Sequence, residues 1–256
     1  MTKIQYASDL HLEFSDNWNY LKRHPIVSVG DILVLAGDTC YLGDERFVAH
    51  PFWDWAADHF ERVIVCPGNH EFYNYFDLTS LNDGEILTIR PNIQYYYNDV
   101  IHNGDTDIIV SPLWSHIKKE DAYATEHGVS DFFRIIYGDH LLTSIDFNYE
   151  HERCLGFIKN AVSQSKARTK IVVTHHVPSF QLMSKEFAGS RINGAFTVEL
   201  ANYICNSGID YWIYGHSHRN IESTIGKTFC TCNQLGYVGH GENVNFQPDK
   251  LISTTD

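Results

Sequence analysis

Apolar runs that stop abruptly at short polar segments set the rhythm of this chain. Ile32-Leu33-Val34-Leu35-Ala36 is continuously apolar up to a glycine, the pattern of a strand buried on both faces. Lys3–Ser8, Val63–Cys66, Ile171–Val173 and Asp210–Tyr214 read as further strands. Between them, Phe52, Trp55, Ala56 and Phe60 fall at helical spacing behind Pro51, which suits a first helical turn. Leu155, Ile158 and Val162 predict a helix over His151–Lys166, and Val198–Ser207 a helix closed by Gly208. The alternation of strand and helix predicts an α/β fold with parallel strands and right-handed crossovers.

Two stretches break the alternation. Gln94–Tyr97, Asp99–His102 and Asp107–Ser111 are short strand-like runs separated by Asn98 and Asn103-Gly104, which predicts an antiparallel meander or hairpin. Pro112 to about Tyr149 has no clean period and carries Trp114, His116, Tyr123, His127, Phe132, Phe133 and Tyr137. A long irregular stretch in a compact domain is more often a functional lid than a connector, so its aromatics either face a substrate or pack on the surface. Ile221–Thr224, Phe229–Thr231 and Leu251–Thr254 return to short strands. With no repeat and no Pro-, Gly- or Ser-rich linker, the reading is one domain over 1–256 with an insert at about 112–149.

The 256 residues are 43% hydrophobic and 14% aromatic, which excludes disorder. A net charge of −13 argues against a partner as long and anionic as nucleic acid, though not against a small phosphorylated substrate. Cys40, Cys66, Cys154, Cys205, Cys230 and Cys232 form no CxxC pair and read as buried, reduced thiols, with Cys230 and Cys232 on one strand face. Strand residues begin at Lys3, leaving no room for a signal peptide, and no apolar run reaches membrane-spanning length. The expectation is a cytoplasmic protein without membrane contact.

Metal-ligand residue types stand where the apolar runs end: Asp9-Leu10-His11, Gly37-Asp38, Gly68-Asn69-His70-Glu71, His175-His176 and Gly215-His216-Ser217-His218. Asp, Asn and His gathered from several strand ends suit two adjacent divalent cations with oxygen and nitrogen ligands. In extended backbone, residues two apart point the same way, so Asp9/His11 and His216/His218 should each project a pair of ligands to one side. Gly215 would allow a tight turn as its strand ends. Loops beyond the carboxyl ends of strands are where open α/β sheets bind ligands.

In this order the segments resemble the calcineurin-like metallophosphoesterase pattern DxH, GD, GNH(E/D), H and GHxH, from Asp9 to His218. The resemblance implies a two-sheet αββα sandwich with helices on the outer faces and a dinuclear centre at its edge. It implies one metal held by Asp9, His11 and His218, a second by Asn69, His175 and His216, and Asp38 bridging both. Two divalent ions less the two carboxylates leave a positive site suited to a phosphoryl group. The implied chemistry is hydrolysis of a small phosphomonoester or phosphodiester by a hydroxide formed as metal lowers the pKa of water from ~15.7 toward ~7. Mn²⁺, Fe²⁺/Fe³⁺ or Zn²⁺ all suit such ligands.

By the same resemblance His70 is the catalytic acid at the leaving group, a role typically contributing ~10²–10⁴-fold. Asn69 also serves the phosphoryl oxygens, and Glu71 positions its loop. His175 fits the ligand role as the residue ending its strand, leaving His176 to the substrate pocket or to support; exchanged roles are the alternative. Arg219 either contacts a substrate phosphate or pairs with a surface carboxylate. Asp131 and Arg134 are polar candidates for specificity, and Asn233–Tyr237 reads as a structural turn. Rival functions are a nucleotide phosphodiesterase or nuclease, and a non-catalytic scaffold of the same fold, which the complete ligand set disfavours.

Overall fold

The computed structural model describes residues 2–254. In chain order the first strands are β1 (Lys3–Ala7), β2 (Ile32–Ala36), β3 (Arg62–Cys66), β4 (Glu85–Arg90) and β5 (Ile93–Tyr97). Next come β6 (Asp99–Asn103), β7 (Thr106–Val110), β8 (Ile136–Tyr137), β9 (His140–Leu141) and β10 (Thr169–Val173). The last are β11 (Tyr211–Tyr214), β12 (Ser223–Ile225), β13 (Thr228–Cys232) and β14 (Leu251–Ser253).

Two six-stranded sheets form, in the orders β14-β1-β2-β3-β5-β4 and β12-β13-β11-β10-β7-β6. Each has four parallel central strands and an antiparallel strand at either edge. Strand periodicity divides the core. Ile32, Val34 and Ala36 of β2 face Ile171 and Val173 of β10 in the layer between the sheets, with Ile4, Ile64 and Ile213. Leu33 and Leu35 point the other way, onto Phe52, Trp53 and Ala56 of the helix Pro51–His59. Val172 and Trp212 do the same on the second sheet, against Ile158 and Ile204 of the outer helices. The expected α/β sandwich with external helices is the observed fold.

Pro51 opens its helix, as expected. The helix expected from His151 begins earlier, at Ser144, because Thr143 and Asp146 form a reciprocal capping box and Phe147 extends the buried face. The run expected as one meander divides between sheets. β5 pairs with β3 and β4 in the first, whereas β6 and β7 form a hairpin in the second. The crossing lies at Asn98, whose φ is +50° and whose side chain bonds Asp83 and Ser111. Tyr96 faces the inter-sheet layer while Tyr95 and Tyr97 face the helices, so a run of tyrosines buried on both faces lent no sign of which sheet it joins.

Residues 112–149 hold two short helices (Ala122–Gly128 and Asp131–Arg134), the small β8–β9 pair and the start of the long helix. Trp114, Phe132 and Phe147 are buried in the core beside the first sheet, whereas Tyr123, Phe133 and Tyr149 are exposed. Cys230 and Cys232 share a buried face of β13; Cys205, unlike the other five cysteines, is exposed. Among the described residues, no helix is long and apolar enough to cross a membrane.

Candidate active site

The polar segments after β1, β2, β3, β10 and β11 meet in one basin at a shared edge of the two sheets. Their backbone is not the extended chain expected from the strand pattern. Asp9, His11, Asp38, His216 and His218 have φ of +54°, +47°, +53°, +73° and +50°. Non-glycine residues seldom enter this left-handed region, and it persists only where surrounding structure enforces it. Here neighbouring segments supply the enforcement. Asp9 N–H donates to Gly37 O at 2.9 Å, His11 N–H to Asp38 O at 2.9 Å and Gly215 N–H to His175 O at 2.9 Å. His216 N–H donates to Asp9 Oδ1 at 3.0 Å, and His218 N–H to Gln234 Oε1 at 2.6 Å.

Gly215 serves close packing: a Cβ there would stand 2.8 Å from Ala36 O and Asp9 Oδ2. Gly37 combines φ +89° with His175, whose Nδ1 would lie 2.2 Å from an added Cβ.

Hydrogen bonds on the far side of each ring dictate what it presents to the basin. His11 Nδ1 lies 3.0 Å from Glu13 and His218 Nδ1 2.6 Å from Glu242, so both carboxylates accept and each neutral ring turns its Nε2 lone pair inward. Those two nitrogens face one another at 3.0 Å, with Asp9 Oδ1 3.3 Å from His218 Nε2. His175 donates from Nδ1 to Ala36 O at 2.9 Å, so its Nε2 meets Asn69 Oδ1 at 3.1 Å and Asp38 Oδ1 at 3.3 Å. His216 donates from Nε2 to Ala195 O at 3.2 Å, leaving Nδ1 as the acceptor. Acceptors gathered this closely in a buried site hold protons or a metal cation between them. Asp9, His11, Asp38 and His218 could hold one, their ligand atoms all lying within 4.8 Å of one another, and Asp38, His175 and His216 form a second such group. The all-oxygen-and-nitrogen donor set fits divalent metal ions.

Protons compensate this charge in the metal-free site. Burial alone would raise the Asp38 carboxyl, yet the surrounding His175 and His70 rings hold it well below its ordinary range. Burial opposes charge on His175 and His218 as well. Asp38 nonetheless pushes His175 up to about 9, and Asp9 with Glu242 pushes His218 up to about 10. His216 moves the other way, well below the usual histidine value, through burial and its neighbours His176 and His175.

His70 stands beside this group. Its Nδ1 bonds Glu13 Oε1 at 2.8 Å, its ring stacks on Tyr73 with centroids 4.2 Å apart, and its Nε2 lies 3.2 Å from Tyr237 OH and 4.0 Å from Asp38 Oδ2. Burial works against its charged form, but Asp38 and Glu13 raise its pKa on balance. Glu71 faces away from the basin. Its buried carboxylate accepts from the backbone N–H groups of Asp38, Thr39 and Gly68, tying the GD and GNHE loops together.

Glu13, Glu242 and Tyr237 are participants that sequence reasoning missed. Glu13 was within reach, two residues past His11. Glu242 lies 24 residues beyond His218 and is marked by no motif. Tyr237 belongs to the stretch expected as a structural turn, and it borders the site cavity.

That cavity, of about 350 Å³, opens beside Asp38, Asn69, His70, His216 and His218. Asn69 turns its amide Nδ2 to Asp131 Oδ1 at 2.8 Å. His176 does not border the cavity; its ring is enclosed by Trp114, Phe147 and His216. Arg219 does border it, but its Nε is held by Glu186 at 2.5 Å. Arg134 lies over the Tyr73 ring outside the lining. From the 112–149 insert the lining takes Gly128, Val129, Ser130 and Asp131 and none of the aromatics. Phe187 and Phe196, from the loop after β10, supply that character instead.

Comparison with known proteins agrees with this geometry. The profile of the calcineurin-like phosphoesterase family matches residues 2–220. An uncharacterised protein of Acanthamoeba polyphaga mimivirus is 28% identical over 276 aligned positions, covering 98% of this chain and 96% of that protein. The crystal structure of a phosphopantetheinyl hydrolase from Mycobacterium tuberculosis shares the fold, with TM-score 0.66 and 17% identity over 92% of this chain and 89% of that one. This chain therefore belongs to the calcineurin-like phosphoesterase family and is a metal-dependent hydrolase of phosphate esters.

Proposed function

We propose that the protein hydrolyses small phosphorylated substrates at a dinuclear centre. Asp9, His11 and His218 hold one divalent cation, Asn69, His175 and His216 hold the other, and Asp38 serves both. The observation that carries this reading is the convergence of outward-anchored histidine rings with buried carboxylates, whose inward atoms form two groups of candidate metal ligands. When bound, the ions supply positive charge for the phosphoryl oxygens and lower the pKa of a coordinated water toward ~7. Mn²⁺, iron and Zn²⁺ all suit the donors.

The chain's own groups do the rest. Asp131 accepts from Asn69 Nδ2 and so keeps the amide oxygen turned toward His175. Glu13 and Tyr73 hold the His70 ring with Nε2 toward the basin, from where it donates a proton to the departing alcohol oxygen. The insert at 112–149 belongs to the same catalytic unit, since Asp131 reaches the site from it.

Assay with Mn²⁺, Fe²⁺ or Zn²⁺ against para-nitrophenyl phosphate, its bis-ester and a nucleotide panel tests the proposal. Turnover of at least one small ester is expected; none with any of the metals overturns it.

The anchoring carboxylate Glu13 can be tested on its own. Glu13→Gln keeps side-chain size but removes the charge that anchors His11 and His70. Metal affinity should fall about 10–100-fold, the usual effect of losing an outer partner of a ligand, as read by chelator competition. Unchanged affinity would reduce Glu13 to a packing role.

Metal binding should also depend on pH. His175 and His218, raised to about 9 and about 10, carry protons in the metal-free protein at neutral pH. Each ion must displace one, so affinity should rise with pH above neutrality, by about tenfold per unit for each proton displaced, and level off beyond those values. Calorimetry in buffers of differing ionisation enthalpy should detect the released protons; no release would contradict the assignment of these ligands.

A further inference from the structure

The proposed centre accounts for the phosphoryl end of a substrate, and the remainder of the cavity describes the alcohol end; the inference about that end rests on the dinuclear reading. From the centre the cavity runs onto a wall of Met183, Phe187, Ile192 and Phe196. The wall starts at the centre itself, since Phe196 stacks on the His216 ring with centroids 4.8 Å apart and planes at 20°. Val129 and Tyr73 also line the cavity.

Charge on the lining runs against a second phosphate. Arg219 is the one Lys or Arg among the described lining residues, and its charge is already engaged. Its Nε donates to Glu186 at 2.5 Å, its Nη1 reaches His218 O at 2.9 Å and Glu242 at 3.5 Å, and its guanidinium lies 5.5 Å from the centre of the Phe187 ring. Asp131 and Glu242 border the same space. A substrate carrying a further phosphate would meet carboxylates and no spare cation, whereas an uncharged hydrocarbon would cover four apolar side chains.

We propose that the substrate is a phosphate ester with a single phosphate, whose alcohol portion is an uncharged apolar group, aryl or medium-chain alkyl, laid along the Phe187–Phe196 wall. Binding to the wall then sets specificity, and Arg219 acts as a strut between Glu186 and Glu242.

An n-alkyl series from ethyl to octyl phosphate tests this on the metal-loaded protein, because the leaving alcohols differ little in acidity. kcat/KM should rise about fourfold per methylene until the wall is covered. Hexyl phosphate should also surpass ADP and ATP by well over about tenfold. In Phe187→Ala combined with Met183→Ala, kcat/KM for hexyl phosphate should fall about tenfold further than that for ethyl phosphate.

A flat series with turnover intact, or a preference for the nucleoside polyphosphates, overturns the inference and spares the phosphoesterase reading. Calorimetric binding of hexylphosphonate against methylphosphonate reads the same wall without turnover. Tighter hexyl binding by a protein that hydrolyses nothing would keep the apolar site and remove the hydrolysis, while equal binding would remove the site.

Discussion

Asp38→Asn is expected to release metal at both positions and to lower kcat/KM by more than about 10³-fold, beyond the ~10²–10³ lost with a single transition-state donor. Asp38 is the carboxylate shared by the group of Asp9, His11 and His218 and the group of His175 and His216. Its Oδ1 lies 3.3 Å from His175 Nε2, its Oδ2 3.8 Å from His11 Nε2, and Oδ1 also accepts the backbone N–H of His70 at 2.9 Å. The amide keeps the shape and removes the charge that both cations need. Elemental analysis of the purified variant, beside circular dichroism to confirm folding, reads the outcome. Retention of two metals per chain would refute the shared role.

His70→Ala should behave differently. The ring is absent from the proposed ligand set, so both metals should remain while turnover of alkyl phosphates falls by about 10²–10⁴-fold. Para-nitrophenyl phosphate, whose leaving group departs without help from a proton, should lose far less. The neighbours make the experiment selective. His70 stacks on Tyr73 and bonds Glu13, and removing it leaves Glu13 bonded to His11. Full metal loss in this variant would sink the acid assignment, and equal losses on both substrates would make His70 a structural group.

The gathering of these segments could be read from residue order because Asp9, Asp38, His175 and His216 each stand two residues past the end of a strand. The burial of β2 and β10 on both faces was equally legible, since an unbroken apolar run is a local feature. The aromatic residues were not. Trp114, Phe132 and Phe147 have the same character as Phe187 and Phe196, yet the first three fill a core and the other two line a cavity. Composition cannot separate these roles, because a large apolar side chain gains from burial against protein or against ligand alike. His176 obeys the same logic: adjacent to His175 in sequence, it is enclosed by Trp114 and Phe147 because consecutive residues face opposite ways.

Donor types, their order and the strands that carry them were written in the amino-acid order alone. How the donors are aimed was settled only in the folded chain. The left-handed φ values at Asp9, His11, Asp38, His216 and His218 exist because hydrogen bonds from segments far apart in the chain enforce them. Glu13 and Glu242 set which ring nitrogens of His11 and His218 face inward, and Glu186 together with Glu242 and the His218 carbonyl engages Arg219. Residue type and strand period are properties of a few neighbouring residues. Ring orientation, charge pairing and cavity lining depend on which distant segments come to lie within hydrogen-bonding distance, and only the folded chain sets that.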